Sequence, residues 1–243
     1  MKTHLNTIFI ALAIVFSAMI FSHAYKNRNK SSNTITVKGL GSRDFVSDLI
    51  VWSGSFSKKN MNLKDAYADL DKDRENIKKY LVSKGLKAEG IVFSAIAIDK
   101  DFENVFDNSG RITKSVFSGY KLTQNVQVES HDVNKVEDIS RQVSELINSG
   151  VEFYSNNPQY YYTKLAELKI EMIAEATKDA FTRAKKIAEN AGSHVGRLKN
   201  AVMGVFQIVA QNSSEGFSWG GSYNTTSKRK TATITVDLVY ETD

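Results

Sequence analysis

The stretch that decides the fold is residues 166–196, AELKIEMIAEATKDAFTRAKKIAENAGSHVG. Within it, alanine recurs every four residues from Ala176 to Ala188, so that these small side chains share one face of a helix. A stripe of small side chains lets the helix backbone lie close to a neighbouring sheet. Gly192 follows the last periodic residue and is suited to end the helix. The stretch predicts a long helix over residues 161–190 that packs on a sheet.

Two further segments, residues 62–84 and 133–149, have apolar residues at helical spacing. Asn60 or Asn62 is available as N-cap of the first and Asp132 of the second. Glycine is placed to end each of them, at Gly85 and at Gly150. The core face predicted for the first helix comprises Leu63, Tyr67, Leu70, Ile77 and Leu81.

Period-two alternation predicts strands in the remaining body of the chain. The first two predicted strands, around residues 35–37 and 46–56, are expected to form a hairpin or a bent strand pair. Residues 99–111 are expected to be a long hairpin tip, because they contain Asn108, Ser109 and Gly110. The other predicted strands are residues 91–98, 116–128, 198–210 and 231–240. This order predicts an α+β fold, with a mainly antiparallel sheet covered by two to three helices and preceded by an N-terminal hydrophobic helix.

The N-terminus carries an apolar run over residues 5–21, LNTIFIALAIVFSAMIF. Its length lies between a signal-peptide core and a membrane-spanning helix. Small residues at Ser22 and Ala24 make the bond after Ala24 a candidate cleavage site. A cleaved signal peptide and a retained anchor therefore stay open. The predicted division is 1–24 as signal or anchor, 25–33 as polar tether and 34–243 as the folded domain.

The basic residues that follow the apolar run favour a cytoplasmic domain when they are taken alone. The short charged N-terminus and the small-residue pattern together describe export, and we give them more weight. We therefore expect the domain on the periplasmic side of a bacterial cell envelope, with membrane contact through the N-terminal segment.

The net charge of +5 comes mostly from this N-terminal region, whose first thirty residues hold four Lys or Arg and no Asp or Glu. The rest has 28 basic residues (32 minus 4) against 27 acidic ones. A balanced body lacks the basic surface that nucleic-acid binding requires. Since the chain has no cysteine, disulfides, thiolate catalysis and cysteine-ligated metal are excluded.

Three stretches resemble the SIMPL (DUF541) family. They are Ile35–Gly41 (ITVKGLG), the helix start DVNKV at residues 132–136, and the alanine-rich helix with its exit through Ala191-Gly192 and Val195-Gly196. The resemblance covers nearly all of residues 34–241, apart from a longer Ser- and Gly-rich insertion at residues 212–230. It implies an exported or envelope protein of a family in which some members assemble into ring-like or channel-like oligomers and have been linked to oxidative-stress tolerance. The family supplies no common catalytic residue.

Three motifs imitate catalytic or metal sites. Gly216 to Gly220 fits G-x-S-x-G around Ser218, but neither a helical pattern nor a histidine follows it. Asp69, Asp71 and Asp73 imitate a calcium loop without its glycine and glutamate, and are better explained as the exposed face of a helix. The four histidines have no zinc-site spacing. No catalytic residue, metal site or cofactor is predicted.

Two aromatic groups are candidate contact residues, because tyrosine and tryptophan combine apolar area with a polar group. Packing in the core is the alternative for the first group. The candidates are Phe153, Tyr154, Tyr160, Tyr161 and Tyr162 in one group, and Phe217, Trp219 and Tyr223 in the other. The leading hypothesis is a non-enzymatic envelope protein that forms homo-oligomers. A serine hydrolase using Ser218 and a periplasmic ligand-binding module are the alternatives.

Overall fold

The computed structural model describes residues 2–28 and 33–243, with side chains described for residues 12–26 and 33–243. Its four α-helices are α1 (Lys2–Arg28), α2 (Leu63–Ser83), α3 (Val133–Gln142) and α4 (Leu165–Asn190). Short 3-10 helices cover Ala88–Gly90 and Val143–Ser149. Helix α1 continues past the candidate cleavage site, and residues 29–32 of the expected tether lie outside the described residues. In the described part of the chain, no helix is both long enough and apolar enough to cross a membrane.

The strands form two sheets instead of one. The strands of sheet A are β1 (Thr34–Val46), β8 (Val195–Met203), β9 (Gln207–Ala210), β10 (Ser222–Tyr223) and β11 (Arg229–Thr242). Those of sheet B are β2 (Leu49–Asn60), β3 (Ile91–Phe93), β4 (Ala97–Phe106), β5 (Ile112–Ser130), β6 (Phe153–Ser155) and β7 (Gln159–Tyr161). Pairing is antiparallel except between β9 and β10. The predicted α+β class with mainly antiparallel pairing is confirmed.

Each sheet has its own apolar core. On sheet A, α4 covers β1 and β11 with the predicted alanine stripe, Ala176 to Ala188, whose members are at most 3% exposed. On sheet B, α2 and α3 cover β2 and β5, and Trp52, Phe56 and Leu70 are completely buried there. The two predicted strands at the start of the domain therefore do not form a hairpin, because β1 pairs with β11 and β2 pairs with β5.

Local signals placed the starts of α2 and α3 correctly, whereas α4 begins at Leu165 and not at residue 161, because Tyr161 belongs to strand β7. The side chain of Asn62 accepts a hydrogen bond from the Lys64 N–H at 2.8 Å, and that of Asp132 accepts one from the Lys135 N–H at 3.2 Å. Gly85 follows α2 with a φ of +88°, a backbone conformation that glycine adopts without strain. The predicted core face of α2 was wrong at two positions: Leu63 is 38% exposed and Tyr67 is 49% exposed, and Ala66 is buried instead.

Candidate interaction surfaces

The first predicted aromatic group is divided between the core and the surface. Phe153 packs beside Trp52 with ring centroids 5.8 Å apart, and Tyr160 is only 7% exposed within the core of sheet B. Tyr154 points the other way and is 57% exposed. Successive side chains of a strand point to opposite faces of the sheet, so Phe153 and Tyr154 lie on different faces. Tyr160 thus offers little surface to a partner, whereas Tyr154 offers more than half of its own.

Tyr161 and Tyr162 bring the two predicted aromatic groups together. The Tyr162 N–H donates a hydrogen bond to the Tyr223 hydroxyl at 3.1 Å, and the rings of Tyr161 and Tyr223 lie 6.4 Å apart. The ring of Tyr162 also lies 4.8 Å from that of Phe45 at the end of β1. These side chains join the segment after β9 to the junction between the two sheets.

The Ser- and Gly-rich insertion forms a loop between β9 and β11 whose tip is held by a buried glutamine. Gln207, 6% exposed, donates from Nε2 to the Ser218 carbonyl at 2.7 Å and accepts at Oε1 from the Ser218 N–H at 3.2 Å. The Ser222 hydroxyl donates to the same Oε1 at 3.0 Å. On either side of the anchored Ser218, Phe217 is 62% exposed and Trp219 is 88% exposed. We call Phe217 and Trp219 the tip pair.

Ser218 has the surroundings of a loop residue. After Gly220 the chain enters the two-residue strand β10, where a nucleophile elbow would continue into a helix. Both backbone polar groups of Ser218 are bonded to Gln207. No contact described for this serine involves a histidine, so nothing in its geometry favours hydrolase chemistry.

Of the acidic residues that imitate a calcium loop, Asp73 differs from the prediction. Asp69 is exposed and Asp71 is half-buried, but Asp73 is only 4% exposed. The carboxylate of Asp73 pairs with Lys58 of β2 at 3.0 Å across the interface between α2 and sheet B. Asp73 is turned inward because that lysine supplies its counter-charge. The three carboxylates therefore do not share one exposed face.

A long ribbon of β4 and β5 is the surface that sequence reasoning missed. Residues 99–106 were expected to belong to a loop, but they are strand, and only the turn at Asp107–Gly110 interrupts the hairpin. The ribbon continues sheet B beyond Asn60, the last residue of β2, which pairs with Tyr120. From Gly119 to the turn, β5 therefore pairs only with β4 among the described strands.

One face of this ribbon is mostly apolar, interrupted by Lys100 and Asn104, and is open to solvent. Phe102 pairs with Phe117, and Phe106 pairs with Ile112, so that each pair lies on the same face. The aromatic rings continue toward the sheet core, with Phe117 and Tyr120 5.1 Å apart. We call this surface the ribbon face. Its exposed members are Ile98 (55%), Phe102 (51%), Phe106 (59%) and Ile112 (60%).

The opposite face of the ribbon is mostly charged. Lys59 of β2 pairs there with Asp101 at 2.9 Å and with Glu103 at 3.8 Å. The hydrogen bond from Lys59 holds the pKa of the Asp101 carboxyl below its usual range. The ribbon is thus amphipathic, with a solvated ionic side and an apolar side that is not covered by the rest of the described chain.

The junction between the two sheets holds a buried lysine that sequence reasoning also missed. Lys230 is 0% exposed, and its Nζ donates to the Ser47 hydroxyl at 2.8 Å, to the Tyr160 carbonyl at 3.1 Å and to the Ser227 carbonyl. Burial lowers the pKa of Lys230 to about 8. The sequence did contain a signal for this burial. Lys230 lies two residues before Ala232, on the same face of β11 as the even-numbered residues from Ala232 to Tyr240.

A comparison with known protein families shows to which family this chain belongs. The family model SIMPL, described as a protein of unknown function (DUF541), matches residues 35–240. The chain belongs to the SIMPL family. The match runs from β1 to β11, so that the SIMPL domain comprises both sheets, the ribbon and the tip pair. A search of the curated proteins finds no match to this SIMPL chain.

Proposed function

We propose that this SIMPL protein is a non-enzymatic component of the bacterial cell envelope that self-assembles, and that copies associate through the ribbon face. The observation that carries the proposal is the set of four large apolar side chains, each at least half exposed, on one face of β4 and β5. Contiguous exposed apolar surface of this kind marks interaction sites. In this proposal, the protein acts by association through a surface and not through a reactive side chain.

A two-stranded ribbon is only marginally stable when nothing covers it. From Gly119 to its turn, the ribbon has no third strand among the described residues, and its apolar side chains gain nothing from exposure to water. A second copy supplies a matching apolar face of the same length and curvature. In such a two-fold contact, the charged faces stay on the outside, where Lys59 and Asp101 remain solvated.

The size of the ribbon face sets the strength expected of one contact. A fully buried aromatic side chain covers roughly 150–250 Å², so the four half-exposed side chains offer about 400 Å² on each copy. Two facing copies would bury about 800 Å² in total, which is below the roughly 1,200–2,000 Å² of a standard specific interface and corresponds to a weak, transient contact. A single ribbon contact should therefore be reversible and dependent on protein concentration, and a stable larger assembly needs further contacts.

Export is the second part of the proposal. The family is generally a bacterial extracytoplasmic one, and the apolar run at residues 5–21 supports delivery to or across a membrane. Cell fractionation with N-terminal sequencing tests this. Intact chain in the membrane fraction, or mature chain beginning at Tyr25 outside the cytoplasm, supports export, whereas intact chain in the cytosol contradicts it.

Light scattering over a range of protein concentrations tests the ribbon contact. We expect the full chain, in detergent, to shift from monomer to oligomer as its concentration rises, and the double variant Phe102→Ser/Phe106→Ser to lose this shift. The matched control is Val105→Ser/Val116→Ser on the charged face, where an equal number of apolar side chains is removed from the same ribbon. A wild-type chain that is monomeric throughout, or a control that fails as the double variant does, would contradict the proposal.

A further inference from the structure

The tip pair is an apolar surface separate from the ribbon face. Phe217 and Trp219 meet edge to face, with ring centroids 5.3 Å apart, and Trp219 has 88% of its surface in water. Such a pair would lower its free energy by turning inward against the sheet. The hydrogen bonds of Gln207 to both backbone groups of Ser218 oppose that movement, because they fix the residue between the two rings.

The surroundings of the tip pair are convex. A Cβ atom placed on Gly216 or on Gly220, the glycines that flank the tip, would have no other atom within 4 Å. The pair therefore projects from the surface and does not line a groove. Two projecting rings are accommodated more easily by a deformable surface, such as that of a lipid bilayer, than by a rigid protein pocket.

The exposed area of the pair alone is too small for a stable protein interface. With 62% of Phe217 and 88% of Trp219 exposed, the pair offers about 300 Å² if each full side chain presents roughly 200 Å². A specific protein interface covers about 800 Å² on each partner. Insertion at the surface of a lipid bilayer does not require a minimum contact area. Tryptophan is favoured there because its ring is apolar and its indole N–H is polar.

The loop carries few charged side chains, so its charge does not oppose insertion at a bilayer surface. Residues 212–227 contain one charged side chain, Glu215, and its carboxylate already accepts a hydrogen bond from Asn224 Nδ2 at 2.6 Å. Moving the tip toward the polar headgroups thus requires little desolvation of charge. The neighbouring Arg229 is exposed and would face anionic headgroups favourably.

We infer that the tip pair is a membrane contact, and that Phe217 and Trp219 insert into the headgroup region of a phospholipid bilayer. The inference does not depend on the ribbon, although it shares with the proposed function the location of the protein at a membrane. Strand β1 separates Thr34, where the chain from the N-terminal segment enters, from Val46, which pairs with Arg229 beside the loop. Because 13 residues of strand span about 40 Å, a retained N-terminal anchor together with the tip pair would lay sheet A along the bilayer surface.

Tryptophan fluorescence tests this contact, because the chain has only two tryptophans and Trp52 is 0% exposed. The full chain is reconstituted in vesicles of phosphatidylcholine and phosphatidylglycerol, either with brominated acyl chains or with iodide on both sides of the membrane. We expect brominated lipid to quench Trp219 several-fold more strongly than iodide does. The variant Trp219→Phe, which leaves Trp52 alone, should lose the lipid-dependent quenching.

A matched variant shows whether the effect is local to the tip. In Tyr154→Trp/Trp219→Phe, the exposed tryptophan lies on the outer face of sheet B and should remain open to iodide. Quenching of Trp219 by iodide and not by brominated lipid overturns the inference. Protection from both quenchers overturns it in favour of a protein contact. The variant Phe102→Ser/Phe106→Ser, measured in the same vesicles, separates this result from the outcome for self-assembly.

Discussion

At the scale of single residues, Lys230 is the least expected feature of the molecule. Its ammonium group lies in the polar junction between the two cores and donates to three neutral oxygen atoms. Among the described residues no carboxylate pairs with it directly, and the nearby Glu137 pairs instead with Lys228 at 2.8 Å. The charge of Lys230 is therefore satisfied by hydrogen bonds but is not neutralised, which makes the charged form costly.

The stability of the protein should consequently rise with pH in the range where Lys230 titrates. Burial lowers the pKa of Lys230 in the folded chain from 10.5 to about 8, so the unfolded chain binds more protons between these values. The free energy of unfolding should increase by up to about 3 kcal/mol from pH 8 to pH 10.5 through this group. Urea unfolding of the wild type and of Lys230→Met across this range measures the contribution as a difference. Equal pH dependence in both chains would show that Lys230 does not titrate as described.

The sequence predicts some residues well and others poorly, for physical reasons. Caps such as Asn62 and Asp132 act on neighbouring amides, so a short stretch of sequence is sufficient to find them. The burial of Lys230 and of Asp73 depends on partners far along the chain, Ser47 and Lys58. Lysine and aspartate are usually exposed to solvent, so the residue types alone do not predict this burial. For Lys230, only its place on the even-numbered face of β11 indicated that it is buried.

At the scale of elements, the contact of α4 with β1 is unusually close. Gly39 and Gly41 lie under the helix, and the Leu40 N–H between them donates to the Asp179 carboxylate of α4 at 2.9 Å. This hydrogen bond, with support from Arg183, holds the pKa of Asp179 below its usual range. The two glycines and the alanine stripe therefore act together, since each side of the contact lacks bulky side chains.

A methyl group at Gly39 should break this contact. Its Cβ would lie 2.7 Å from the Cβ of Ala180 and would also clash with the carbonyl oxygen of Ala176. We expect Gly39→Ala to lower the free energy of unfolding by at least about 2 kcal/mol, through overpacking against backbone that cannot move freely. The control Gly216→Ala adds a methyl group in open space and should change stability by less than about 0.5 kcal/mol. A Gly39→Ala chain as stable as this control would contradict the packing described.

Elements were predicted more reliably than their pairing. The helical spacing of α4 and the alternation of β11 are local properties, and both elements are present near the predicted bounds. That β1 joins β11 while β2 joins β5 could not be inferred from adjacent strands, because both pairings join strands that are far apart in the sequence. The sequence predicts a long hairpin tip where the ribbon lies, because Lys100 and Asn104 interrupt its apolar face and because the turn signals at its tip are strong.

At the scale of the whole molecule, two cores are joined by a polar junction and carry two exposed apolar surfaces. The ribbon face extends from sheet B, and the tip pair lies in the loop between β9 and β11 of sheet A. Neither surface is covered by the rest of the described chain. We propose different partners for them, a second copy for the larger surface and a lipid bilayer for the smaller one.

The most direct test of the central claim is site-specific cross-linking of the ribbon, which the absence of native cysteine makes clean. Asn104 lies on the ribbon face between Phe102 and Phe106, whereas Glu103 lies on the charged face. With a short bis-maleimide reagent, the full-length Asn104→Cys variant should form covalent dimers and the Glu103→Cys variant should stay monomeric. Cross-linking of Glu103→Cys in preference to Asn104→Cys, or of neither at concentrations where the protein is oligomeric, would contradict self-assembly through the ribbon face.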